Sequence, residues 1–281
     1  MMANQETAAS LDNIGFGTRD LVLEHVTSAD GTRIAFEKSG EGPPVIILGG
    51  GLNEKAMFAD LAELLSEDFT VYNYDRRGRG NSEDNGGLSG YTIDREVEDL
   101  AAVLEAAGPE AAIFANCTGG LIAMRAAAKG VPMGKMALYE PTYGGHQLPE
   151  SYMDDLERMV AADHRTDAVA LFLKENVRFS SETIEGFKAL PIWPSFEAMA
   201  PTTLYDSILD ANHESVPFDQ LPGIGVPTLV IGGRESPSWL IDNCHALAAG
   251  LPHGQYVCMN EGHLFNQKAG APLLTVFFRS Q

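Results

Sequence analysis

The stretch F-A-N-C-T-G-G-L-I-A-M, residues 114–124, decides how the chain is read. An apolar run stops at Asn116, a cysteine sits at the corner, and two glycines open a helix-like run. This is the pattern of a buried strand that turns sharply into a helix. The residue at such a corner takes a strained backbone and projects its side chain outward. Ala115, Gly119 and Gly120 supply the small side chains that let strand and helix pass closely. Cys117 would then sit at a helix N-terminus, where the dipole favours thiolate over thiol. The ordinary alternative is a buried inert cysteine, because free Cys is among the most buried residue types.

Outward from this corner, strands and helices alternate. Two short alternating segments, 20–26 and 32–38, flank Ser-Ala-Asp-Gly and predict a hairpin. "PPVIILGGG" (43–51) predicts a buried strand running into a glycine loop. A helix is predicted over 53–67 with Asn53 as its cap, a strand over 69–75, and an amphipathic helix over 92–108 that Gly108 ends. Strand 111–116 leads through the Cys117 corner to helix 119–130, then to strand 134–141. The pattern returns late, with strands at 226–233 and 254–259 and helices at 238–250 and 271–280. Such alternation requires crossover connections and a mainly parallel sheet with helices on both faces. The expected class is α/β, with eight strands.

Residues 142–222 break the alternation. They read as helices punctuated by proline, with 14 acidic and 5 basic residues between 149 and 220. The expected division is a core from 1–141 and 223–281, with 142–222 inserted as a helical cap.

Composition bounds the function classes. The 281 residues carry 19 Lys+Arg against 39 Asp+Glu, a formal net charge of −20. That field repels nucleic-acid backbones and anionic membranes, and ordinarily serves solubility. Cys117, Cys244 and Cys258 are too few for a disulfide framework. The first 17 residues lack the basic start and apolar core of a signal peptide, and no apolar run approaches the roughly 20 residues that span a bilayer. A cytoplasmic protein is expected.

The residues quoted so far resemble the α/β-hydrolase fold superfamily over nearly the whole chain. "ANCTGG" resembles its nucleophile elbow, with Ala115 for the usual first Gly and Cys117 for the usual Ser. "VIILGGG" resembles the strand and oxyanion loop, "YDRRGRGNS" the D-x-R-G-x-G-x-S turn, and "NEGHLFNQKAG" the segment that bears the catalytic histidine. Some members, dienelactone hydrolases and polyhydroxyalkanoate synthases among them, carry Cys at this apex. Of seven histidines (His25, His146, His164, His213, His245, His253 and His263), only His263 lies in the short loop where the family places its base.

The acid has two candidates. The resemblance implies one after strand 226–233, where Glu235 stands. Glu140, after strand 134–141, stands where the haloalkane dehalogenases hold theirs. A carboxylate behind an apolar strand needs a partner if it is buried, so Glu140 is preferred and Glu235 kept as the alternative. The oxyanion-binding amides implied are those near Gly51 and Leu52, and that of Thr118; three glycines at 49–51 permit close backbone approach. Arg76, Arg77 and Arg79 read as turn residues. In the insertion, Pro191 and Pro194 stiffen the chain around Trp193, which is expected to face the substrate.

The expectation is therefore a hydrolase or acyltransferase with a Cys-His-acid triad. It would act on an ester, lactone or thioester by hydrolysis, acyl transfer or cyclisation. No cofactor and no metal are expected. The partner would be a small hydrophobic or cyclic acyl substrate, with no nucleic acid and no membrane, and a homodimer left open. Two other readings stay open: a lyase or isomerase using His263 as base, and a binding protein of the same fold.

Overall fold

The computed structural model describes residues 22–143, 147–212 and 214–280. Asp20 and Leu21 of the expected first strand, the N-terminal stretch read for a leader, and the candidate bases His146 and His213 lie outside the described residues.

Eight strands form one sheet: β1 (Leu23–Thr27), β2 (Arg33–Ser39), β3 (Pro44–Leu48), β4 (Thr70–Tyr74), β5 (Ala112–Asn116), β6 (Met136–Tyr139), β7 (Thr228–Gly233) and β8 (Gly254–Met259). Their order across the sheet is β1-β2-β4-β3-β5-β6-β7-β8. β1 and β2 pair antiparallel, as do β2 and β4; every later pairing is parallel. The fold is therefore the mostly parallel α/β sheet that the alternation predicts.

Period-two geometry sends alternate side chains to opposite faces. Ile46, Leu48, Ile113, Leu138 and Val230 join one core layer. Val45, Ile47, Phe114, Tyr139 and Ile231 join the other. Helices α2 (Ile93–Ala107), α3 (Thr118–Ala128) and α9 (Ser238–Gly250) supply the first layer through Val97, Leu100, Leu121 and Leu247. Helices α1 (Ala59–Leu65) and α10 (Gln267–Arg279) supply the second through Leu61, Leu65, Leu274 and Phe277. α2 starts on its Thr92 cap and stops at Gly108, whose φ of 107° suits glycine.

Two helix starts differ from expectation by more than one residue. The segment after β3 begins as a 3₁₀ turn, Lys55–Phe58, and only then becomes α1. Asn53 does not cap it; its Oδ1 accepts instead from Gly50 N–H at 3.1 Å and pins the glycine loop. α10 begins four residues early, because Asn266 caps it by accepting from Ala269 N–H at 3.1 Å.

Between β6 and β7 the described residues hold no strand. Five helices fill this stretch: α4 (Tyr152–Ala161), α5 (Arg165–Glu175), α6 (Ser181–Lys188), α7 (Trp193–Ala198) and α8 (Thr203–Ala211). Leu156, Phe172, Ile184, Phe187, Phe196 and Leu204 join the second core layer.

The corner after β5 depends on its glycines. A Cβ on Gly119 would lie 2.6 Å from Leu48 O and 2.8 Å from Gly49 O; one on Gly120 would lie 2.5 Å from Pro141 Cβ. Backbone at that distance has no flexible end that can move aside. Gly119→Ala should therefore lower stability by about 1–3 kcal/mol, read as a lower midpoint in chemical denaturation. An unchanged midpoint would mean the corner relaxes freely.

Candidate active site

Three backbone outliers converge. Leu52, Cys117 and Glu140 have φ of 54°, 50° and 41°, a region non-glycine residues rarely enter. Each follows the carboxyl end of a parallel strand (β3, β5 and β6), where ligands bind in open α/β sheets. Strain of this kind persists only where surrounding structure enforces it, and it gathers at functional sites.

Cys117 sits at φ 50°, ψ −122°, immediately before α3. Its backbone is fixed from both sides: its N–H donates to Tyr139 O at 3.0 Å, and its carbonyl accepts from Gly120 N–H at 2.9 Å and Thr142 N–H at 3.1 Å. The sulfur lies 3.6 Å from Thr142 Oγ1 and 3.9 Å from Thr118 Oγ1.

Glu140 is buried behind β6. Its Oε2 lies 2.7 Å from His263 Nδ1, and its Oε1 accepts from Gly233 N–H at 2.7 Å. Gly233 ends β7, and a Cβ there would crowd Glu140 Oε1 at 3.1 Å, so a glycine keeps the route open. Glu235 does not enter the site. Its side chain is exposed, and its N–H donates to Glu261 O at 3.0 Å, which turns the chain outward. Of the two candidate acids, Glu140 therefore meets His263 and Glu235 does not.

Burial alone would raise the Cys117 thiol. The hydrogen bond and charge of His263 outweigh that, with Thr142 adding to the effect, so its pKa lies below the ordinary thiol value. Burial would likewise lower His263, but Cys117 and Glu140 push it up to about 10. The pair thus favours thiolate and imidazolium. Cys244 is buried and pushed up to about 12, while Cys258 is exposed.

The amides of Leu52 and Thr118 make no hydrogen bond among the described residues. The glycine loop is pressed against the corner: a Cβ on Gly50 would lie 2.7 Å from Cys117 Cβ, and one on Gly51 would lie 3.0 Å from Phe172 Cζ. Arg76 Nη1 donates to Gly50 O at 3.2 Å and holds the loop from below.

A cavity of about 90 Å³ opens at the sulfur. Gly51, Leu52, Cys117 and His263 line it, and Met57, Phe58, Phe172, Phe179, Phe187 and Phe196 make it apolar. Phe179 meets the His263 ring edge-on at 5.9 Å between centroids. Trp193 is not in this wall. It packs against Phe196 and donates from Nε1 to Glu197 Oε1 at 2.9 Å, so it belongs to the core of the inserted helices. The expectation that it faces substrate is corrected; the phenylalanines take that place.

The three arginines of the turn after β4 are buried. Arg76, Arg77 and Arg79 are each 1% exposed. Arg76 pairs with Glu96 and Asp206, Arg79 with Asp206, and Arg77 with Asp99. Their partners lie on α2 and α8, so no spacing in the turn announces them. Among the described residues no cluster of His, Cys, Asp and Glu could hold a metal ion, and no helix is long and apolar enough to cross a membrane.

The chain resembles known proteins along most of its length. It is 39% identical to an alpha/beta hydrolase from Sphaerobacter thermophilus DSM 20745, with a TM-score of 0.85, covering 91% of this chain and 100% of that one. It shares its fold with the enol-lactonase from Burkholderia xenovorans LB400, at a TM-score of 0.74 and 21% identity, covering 92% of this chain and 100% of that one. It is 25% identical to the uncharacterized hydrolase YraK of Bacillus subtilis (strain 168) over 149 residues, 50% of this chain and 54% of that protein. The match therefore spans about half the length of that relative. Residues 45–273 match the model of the alpha/beta hydrolase family, and the chain belongs to that family.

Proposed function

We propose that the protein is a cysteine-dependent hydrolase or acyltransferase that acts on small esters, lactones or thioesters. The observation that carries this reading is Glu140 held on His263 Nδ1, with His263 and a cysteine at a strained strand-to-helix corner lining one cavity. In this reading Cys117 is the nucleophile, His263 the acid and base, and Glu140 the group that orients the histidine. The helices of 142–222 form a cap whose phenylalanines roof the apolar cavity. An apolar or cyclic acyl group fits that lining.

The steps follow from the charges. The Cys117 thiolate attacks the carbonyl carbon, and the carbonyl π pair moves to oxygen. The amides of Leu52 and Thr118 would stabilise the resulting oxyanion, each worth a factor of about 10²–10³ in rate. Collapse breaks the bond to the leaving group, which takes the proton from His263 Nε2. A thioester on Sγ remains. Neutral His263 then accepts a proton from water, or from another nucleophile, as it attacks. The second collapse releases the acid or new ester, restoring thiolate and imidazolium. Thiolate is a good leaving group, so the site suits activated acyl groups more than amides.

Glu140→Gln should lower kcat/KM for a chromogenic short-chain ester by about 10²–10⁴-fold. Glu235→Gln should leave it within about twofold, as expected of an exposed side chain. The reverse order would refute the assignment of Glu140.

The pH dependence has a defined sign. Cys117 is lowered and His263 raised to about 10, so the reactive ion pair spans the interval between them. Alkylation of Cys117 by iodoacetamide should be fast well below the ordinary thiol pKa of about 8.5. Turnover also needs the imidazolium proton, so it should fall as pH rises through about 10. An alkylation midpoint at Cys117 near that of an ordinary thiol would contradict the pair.

A further inference from the structure

A second cavity, of about 40 Å³, also borders Cys117 and His263. It shares Cys117, His263, Phe172 and Val177 with the first. A substrate with its carbonyl at the sulfur therefore has room for one arm in each cavity. The first cavity offers aromatic rings. The second sets Asn176 and Asp210 among Tyr143, Phe172, Trp239 and Leu240.

Asp210, in the last turn of α8, takes no part in the mechanism above. Its Oδ2 accepts from Asn176 Nδ2 at 2.6 Å, and its Oδ1 has no hydrogen bond among the described residues. Asn176 is 8% exposed, lines the same cavity, and its Oδ1 is buried with no partner. A buried amide oxygen without a partner is costly, and Asp210 beside it is half-buried with no cationic partner. Burial pushes the Asp210 carboxyl up, against the Asn176 hydrogen bond and with the help of nearby Asp206, to about 7. The arginines that neutralise Asp206, one turn earlier on α8, do not bond to Asp210. Two acceptors thus stand open where a substrate arm would reach.

Resting on the nucleophile reading above, we propose that this second cavity is a subsite for a short substrate arm carrying a hydrogen-bond donor, an amino or hydroxyl group, which Asp210 and Asn176 accept. By the measure on which one water fills about 10–15 Å³, the cavity holds about three water-sized groups. That is a two- or three-atom arm. The substrate class narrows to an acyl compound with one apolar arm and one short donor-bearing arm, meeting at the reactive carbonyl.

The test uses three near-isosteric thiol reagents: 2-aminoethyl, 2-hydroxyethyl and n-propyl methanethiosulfonate. In each, the thiolate attacks the sulfenyl sulfur. An S–S bond forms to Cys117, the bond to the sulfonyl sulfur breaks, and methanesulfinate leaves. The exposed Cys258 in the same molecule supplies the reference for intrinsic reactivity and for the field of the whole chain. Rates at each cysteine are read by peptide mass spectrometry. Relative to Cys258, Cys117 should prefer the aminoethyl or the hydroxyethyl reagent over n-propyl by about tenfold or more. Which of the two leads separates an amine-bearing from a hydroxyl-bearing arm. Asp210→Ala should bring that preference down by about tenfold. A wild-type preference near one overturns the subsite without reference to any variant, and so does a full preference retained in Asp210→Ala. Failure of all three reagents at Cys117, with Cys258 labelled, would instead sink the nucleophile reading and this subsite with it.

Discussion

Replacing Cys117 by alanine should lower the turnover of an activated short-chain ester by about 10⁴-fold or more, and His263→Ala should cost about as much. The two losses should not add, because the residues act as one unit. Without the sulfur no thioester forms, and the histidine has no pair to take part in. Cys117→Ser separates nucleophile from scaffold. A hydroxyl has a far higher pKa than a thiol, so no standing ion pair with His263 would form, and His263 would have to remove the proton during attack. The serine variant should fold normally and either lose most turnover or act as an ordinary esterase. The reading as a lyase or isomerase makes the opposite forecast: His263→Ala inactive, Cys117→Ala still active. Rates for the three variants beside wild type decide between them, and an active Cys117→Ala variant would remove the nucleophile from the account.

Asp206→Ala should destabilise the protein by about 3–5 kcal/mol, the range for breaking a buried ion pair. Asp206 is 1% exposed on α8 and accepts from Arg76 Nη1 and Arg79 Nη2, both at 2.8 Å. Glu96, on α2, is fully buried and takes Arg76 Nη2 at 2.7 Å, with Tyr91 OH donating to the same oxygen at 2.8 Å. Two guanidinium groups thus face two carboxylates. Deleting Asp206 leaves two buried cations against Glu96 alone, and their loss of compensation is the source of the cost. The effect should reach the site, since Arg76 also holds Gly50 O and α8 carries Asp210. Equilibrium denaturation in urea measures it; a change below about 1 kcal/mol would show that water or rearrangement replaces the carboxylate.

The sequence carried most of what periodicity and local chemistry can encode. β5, the Cys117 corner and α3 were legible because burial, tight packing and helix capping act over a few residues. β8 was legible to its ends. His263 was legible through the resemblance, which places the base in the loop between the last strand and last helix, where one histidine stands. Long-range pairing was not legible. Arg76, Arg77 and Arg79 read as turn residues, and nothing local shows the partners 20 to 130 positions away that bury them. Asn53 looked like a helix cap and instead ties the glycine loop. Trp193 looked like a roof residue because prolines flank it, but its ring fills the inserted helices and its N–H is satisfied by Glu197. Thr142, beside the sulfur, and Asn176 with Asp210, across the second cavity, gave no local signal at all.

The most direct measurement is the intact mass of the protein, acid-quenched within milliseconds of mixing with a chromogenic short-chain ester. A cysteine nucleophile predicts a transient species heavier by one acyl group, its label on the peptide containing Cys117, absent from Cys117→Ala and longer-lived in His263→Ala if any forms. Steady turnover of the ester with no such adduct, or an adduct on Cys244 or Cys258, would contradict it.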